Sequence, residues 1–206
     1  MKKLTLFAAA VAVFATVNIA AADNGGKPAK KAPTTFKANL NKSTMAWNGK
    51  KVTGEHSGTI KLSDGSLTVD GGKLKGGSFD IDMNSIVCTD LTDKEYNDKF
   101  IGHMKSEDFF NTAKFPKANF KITKVTPKGG NKYDVTGDLT VKGITKPVSF
   151  PAVVNMKDGQ AEATGKITID RTKYDIRYNS KTFFASIGDK AIYDDFTIDF
   201  KLVAAK

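Results

Sequence analysis

From Val52 onward, apolar and polar side chains alternate with a period of two. Val52, Gly54, His56, Gly58, Ile60 and Leu62 share one face, and Thr53, Glu55, Ser57, Thr59 and Lys61 share the other. This is the pattern of a β-strand with one buried and one wet face. It recurs with Phe79, Ile81 and Met83 set against Asp80, Asp82 and Asn84, and again with Phe120 and Ile122. Tyr133–Val141, Ile144–Val154, Ala161–Arg171 and Ile192–Leu202 follow the same rule. The runs are separated by turn residues: Ser63-Asp64-Gly65, Asp70-Gly71-Gly72, Lys128-Gly129-Gly130-Asn131, Gly143 and Lys157-Asp158-Gly159. A first, shorter strand region, Thr35–Leu40 and Thr44–Asn48, is broken by Asn41-Lys42-Ser43. Pro147 and Pro151 predict an edge or a bend in their strand. The pattern adds up to about eight amphipathic strands, and closure into an antiparallel barrel is the arrangement that leaves no long open edge.

One stretch departs from this pattern. Asn97–Phe120 holds five of the fourteen phenylalanines. Upstream, Tyr96, Phe100 and Met104 fall at i, i+4 and i+8, which predicts a helix over Asp93–Met104. Ser106 is placed to cap a second short turn, and Pro116 ends the insert. Such an insert among strands plugs, covers or catalyses. Thr172–Asp189 is less regular and reads as a loop or cap.

Composition sets the compartment. Of the 206 residues, Met1–Ala22 have a basic start, an apolar run and a small-residue end, the form of a cleaved secretory signal. Asp23–Pro33 is a polar, Gly/Pro/Lys-rich linker, so the domain is expected over 34–206, in the periplasm. The run is short of the ~20 residues needed to span a bilayer. The single cysteine, Cys88, leaves an exported chain without an internal disulfide and reads as a small, semi-buried apolar residue. The formal charge of +10 comes almost wholly from lysine, with Arg171 and Arg177 the only arginines. Lysines scattered among acids suit a solvated surface and transient attraction to an anionic membrane, and argue against a nucleic-acid partner. Acids on the outer face also exclude a membrane-embedded barrel.

Candidate chemistry is sparse. Two histidines, one cysteine and no G-x-S-x-G motif do not form a catalytic constellation. A zinc site would need His56, His103, Cys88 and a carboxylate brought together, with no ligand-type spacing to support it, so neither catalytic nor metal residues are assigned. A Cys88–His nucleophilic pair has no better support. His56, Arg171 and Asp194 are polar on apolar faces: they either satisfy one another or meet the polar head of a ligand. Gly54, Gly58, Gly137, Ala161, Ala163 and Gly165 fill little inward volume, which points to a cavity.

Several segments resemble the YceI family. Trp47 with Gly54-x-His56-x-Gly58 is similar to its opening motif. His103-Met104-Lys105-Ser106-x-Asp108-Phe109-Phe110 with Phe115-Pro116-x-Ala118-x-Phe120 looks like its signature segment. Thr136–Val148, Ile169-Asp170-Arg171-x-x-Tyr174-x-Ile176 and Ile187-Gly188-Asp189 match later motifs, and the resemblance spans residues 35–203. It implies an all-β, eight-stranded antiparallel lipocalin-like barrel with a short helical insert, exported, frequently dimeric and not generally enzymatic. It also implies a long apolar ligand such as a polyisoprenoid, an isoprenoid quinone or a fatty-acid amide, with no cofactor beyond that lipid. The expected ligand-facing residues are Trp47, His56, Phe79, Ile81, Met83, Phe100, Met104, Phe109, Phe110, Phe120, Ile122, Phe150, Ile169, Arg171, Tyr174 and Phe196. The competing readings are an enzyme acting on a lipid through His56, a ligand-free structural or stress barrel, and a haem or metal binder.

Overall fold

Strand pairing closes the chain on itself in the computed structural model, which describes residues 32–206. The expected signal segment, and all but the last two residues of the linker, lie outside the described residues. In chain order the elements are β1 (Thr34–Ala38), β2 (Thr44–Lys51), β3 (Gly54–Asp70), β4 (Lys73–Cys88), α1 (Lys94–Lys105), β5 (Lys117–Pro127), β6 (Lys132–Val141), β7 (Ile144–Lys157), β8 (Gln160–Asp170) and β9 (Ile192–Ala205). Every pairing is antiparallel, and β3–β4 contacts close the ring. The nine strands occupy eight positions, because β1 and β2 both lie between β3 and β9 and form two halves of one broken stave.

The two ends of the barrel differ. At one end the connections are short: Gly71 and Gly72 both have positive φ, as do Asp158 and Gly159, the geometry of two-residue hairpins that follow strand twist. At the other end sit α1 with the segment after it, and residues 171–191, which run through a 3-10 turn at Arg171–Tyr174 and a second at Gly188–Lys190. Two sequence expectations fail here. Ser63-Asp64-Gly65 does not turn the chain; β3 continues through it, with a register shift between the Leu62 and Asp64 pairs. The phenyl ring of Phe79 lies against Gly65, where a Cβ would come within 2.4 Å of it, so the glycine serves close approach inside a strand. Val52, expected in the strand, sits instead in the β2–β3 turn and is exposed.

The prolines of β7 mark a partial opening in the wall. β7 pairs with β6 along residues 144–153 but with β8 only over Ala152–Lys157. Pro147 and Pro151, which offer no N–H, lie in the half that lacks the β8 partner. The 3-10 turn after β8 packs against β7 and β9 there, burying Tyr174 and Ile176 to 1% exposure.

Candidate functional site

The barrel encloses a cavity of about 500 Å³ with a predominantly apolar wall. It reaches from Leu74 and Val154 near the tight-turn end to Lys50, Lys51 and Lys190 at the other. The period-two pattern builds this wall directly, because inward positions of every long strand face one lumen. Every residue expected to face a ligand lies on the wall except Tyr174. Tyr174 packs behind it, its hydroxyl without a hydrogen-bond partner among the described residues, and burial next to Asp170 pushes its phenol up to about 12.

The small inward residues open the lumen by an unexpected route. A Cβ on Gly58 would come within 2.7 Å of the Trp47 indole, one on Gly137 within 2.4 Å of the Phe120 ring, and one on Gly165 within 2.7 Å of the Phe200 ring. These glycines are therefore not empty space. They let aromatic rings from neighbouring strands lie flat on the backbone, which keeps the rings out of the centre.

The insert forms one end of the cavity. Asp93 caps α1 by accepting a hydrogen bond from the Tyr96 N–H at 3.0 Å. Phe100 and Met104 line the lumen, but Tyr96, the first member of the predicted stripe, is 67% exposed. A second short turn does follow Ser106, with the Phe109 N–H donating to the Ser106 carbonyl at 3.2 Å, but the Ser106 side chain does not cap it. Its hydroxyl donates back to the His103 carbonyl at 2.8 Å and closes α1, after which a run of turns buries Phe109 and Phe110. The Lys142 ammonium ties this segment down, donating to the carbonyls of Glu107 at 3.2 Å and Asp175 at 3.3 Å.

The polar inward residues meet only in part: Arg171 pairs with Asp194, as one of the sequence alternatives had it, and His56 stands apart from both. Arg171, 4% exposed, donates to the carbonyls of Ile176 (2.9 Å), Ile192 (3.0 Å) and Tyr193 (3.1 Å), and to the Asp194 carboxylate at 3.4 Å. Burial lowers its pKa, and Asp194 and Asp170 oppose that shift. Arg171 thus pins the 171–176 segment to the start of β9. His56 belongs to a different cluster. Its Nδ1 lies 2.9 Å from an Asp90 oxygen, and its ring packs 4.7 Å from that of Phe100. The other Asp90 oxygen accepts from the Ser57 N–H at 2.8 Å and from the Cys88 thiol at 3.0 Å. Burial alone would raise the Asp90 carboxyl, but these hydrogen bonds outweigh it and hold the group at about 2. Burial and the same carboxylate push the Cys88 thiol up. His103 sits 3.1 Å from Asp108 and edge-on to Phe109 and Tyr178.

Sequence reasoning missed Asp90 and Tyr178, and named His103 without placing it on the cavity wall, where it lies. Asp90 had no usable sequence signal: counted back from the Asp70–Lys73 turn, His56 falls opposite Val87, and it is the register shifts along β3–β4 that pair Gly58 with Cys88 and so bring His56 opposite Asp90.

Comparison with known proteins agrees with the architecture. A family model described as a YceI-like domain matches residues 36–204. The Escherichia coli protein YceI is 42% identical over 96 residues, covering 46% of this chain and 47% of that protein. The chain spans about half the length (47%) of the first curated relatives it matches. Among solved structures, Burkholderia cenocepacia BcnA is similar with a TM-score of 0.66 and 30% identity, covering 82% of this chain and 99% of that one. A polyisoprenoid binding domain from Saccharophagus degradans shares the fold, with a TM-score of 0.59 at 16% identity over 82% of this chain and 97% of that one. A closed antiparallel barrel with a helical insert, and a family match across almost all of it, lead to one conclusion: the chain belongs to the YceI-like family.

Proposed function

We propose that the protein is an exported, periplasmic carrier that holds a long apolar lipid in the barrel. The observation that carries this reading is the cavity of about 500 Å³, walled by aliphatic and aromatic side chains. Its size falls within the range of small-molecule sites. Burying on the order of 400 Å² of lipid tail would contribute roughly 10 kcal/mol at ~25 cal/mol/Å², offset in part by the entropy lost on binding. The polyisoprenoid binding of the Saccharophagus degradans domain favours an isoprenoid chain, and a quinone bearing such a chain or a fatty-acid amide offers the same walls the same surface. Holding such a ligand calls for no catalytic step and no cofactor.

The open end suits transient contact with an anionic membrane surface. Tyr178, Phe183, Phe184 and Tyr193 are exposed on and beside the 175–191 segment, and Val52 on the facing hairpin. Lys50, Lys51 and Lys190 border the opening. Aromatic rings with lysines at one end are the composition of a membrane-interface surface. A second copy of the chain is the competing occupant of that end, and sedimentation of the lipid-free protein separates the two.

Organic extraction of the purified protein followed by mass spectrometry tests the carrier reading. One long-chain lipid per barrel is expected. A clean extract, with failure of the protein to take up any polyisoprenoid, quinone or fatty-acid amide offered, overturns it.

A further inference from the structure

His56, Cys88 and Asp90 bring three kinds of metal donor to one place. The imidazole Nδ1, the thiol sulfur and a carboxylate oxygen all lie within 4.8 Å of one another. No short sequence spacing announces them, because His56 comes from β3 and Cys88 from the facing end of β4, and the strand register joins them. We propose that these three side chains form a mononuclear site for a zinc-class divalent ion.

The donor set fits that ion. One thiolate, one imidazole and one carboxylate make a mixed soft and hard set of the kind zinc accepts. Bonds of 2.0–2.3 Å to a tetrahedral ion place neighbouring donors roughly 3.4 Å apart. The imidazole and thiol now stand 2.9 Å and 3.0 Å from the Asp90 oxygens, so small side-chain shifts make room. The surroundings hold the donors in place: the Ser57 N–H donates to Asp90 at 2.8 Å, and the Asn97 side-chain amide donates to the carbonyls of Cys88 at 3.0 Å and Leu91 at 2.8 Å. Solvent reaches the site, since the side chains of His56 and Asp90 are 24% and 34% exposed. Metal entry releases the Cys88 proton to solvent and moves the imidazole proton from Nδ1, where it faces the Asp90 carboxylate, to Nε2 by exchange with solvent, so Nδ1 becomes a ligand. Three protein donors leave the fourth tetrahedral position open.

This inference stands apart from the lipid reading and is tested on lipid-free, reduced protein with the metal alone. Titration with Co²⁺ should give a thiolate-to-cobalt charge-transfer band that saturates at one equivalent and is displaced by Zn²⁺. His56→Gln and Cys88→Ser should each weaken Zn²⁺ binding at least ~10-fold, while His103→Gln leaves it unchanged. Circular dichroism checks that the variants fold. Should Cys88→Ser fail that check, slowed alkylation of wild-type Cys88 by equimolar Zn²⁺, reversed by chelator, reports the same ligand. Absence of the charge-transfer band in wild type, or Zn²⁺ affinity unchanged in a folded His56→Gln, overturns the proposal.

Discussion

Arg171 and His56 look alike in the sequence: each is a polar residue on an otherwise apolar strand face. The fold gives them opposite roles. Arg171 has three carbonyls and a carboxylate around its guanidinium and is 4% exposed. It uses its donors to hold the 171–176 segment over the partial opening between β7 and β8. Among the described residues the His56 imidazole has one side-chain hydrogen bond, to Asp90; it lies at the rim of the cavity and is open to solvent. A buried polar group that the protein saturates is structural, whereas one left partly unsatisfied at a cavity mouth is available to a ligand.

The largest expected effect tests the saturated member. Arg171→Met strips three carbonyls and the Asp194 carboxylate of their guanidinium donor, leaving Asp194 the Thr182 hydroxyl at 2.6 Å, and should cost about 3–5 kcal/mol in urea unfolding. Arg171→Lys should rescue little of this, because an ammonium cannot span the same fork of acceptors. A loss below about 1 kcal/mol together with lost lipid uptake would make Arg171 a ligand anchor and collapse the contrast. Next comes a lesion in the wall that touches neither residue. In Gly137→Ala the new Cβ meets both the Phe120 ring and the Lys121 carbonyl, at 2.4 and 2.6 Å. It should cost about 1–3 kcal/mol and weaken uptake of a fluorescent long-chain lipid by turning Phe120 into the lumen. Undiminished uptake would show that the rings do not set the lumen's width.

His56→Gln should alter unfolding free energy by less than about 1 kcal/mol, since its partner is partly solvated. A cost as large as that of Arg171→Met would erase the distinction between the two groups. The smallest effect at neutral pH belongs to Tyr174→Phe, which removes a hydroxyl without a partner among the described residues and should stay within about 1 kcal/mol of wild type. Its signature lies in alkali. The folded phenol titrates near 12 against an ordinary value of 10.0, so the unfolded chain releases this proton first. Tyr174 therefore contributes full stability below pH 10 and loses it as pH rises towards 12. Stability measured across that window should fall less steeply in Tyr174→Phe, and identical slopes would refute the assignment.

Much of the barrel was legible because alternation is a local property. Period two separates inward from outward, and Gly71-Gly72 and Asp158-Gly159 carry the positive-φ chemistry of tight hairpins. Ser63-Asp64-Gly65 carries the same turn residues yet continues a strand, because Phe79 on β4 needs Gly65 to be flat. Tyr96 kept helical spacing but faces solvent, since spacing defines a stripe without saying how far the neighbouring wall extends.

The sequence by itself determined an amphipathic all-β chain, its helical insert and the inward strand faces that make up much of the lumen wall, because these follow from which way each side chain points along its own strand. Only the tertiary structure decided which polar residues meet. It gave Arg171 to the carbonyls around Ile192 and set His56 beside Asp90 and Cys88, because cross-strand register and the path of residues 171–191 are settled by contacts far apart in the chain.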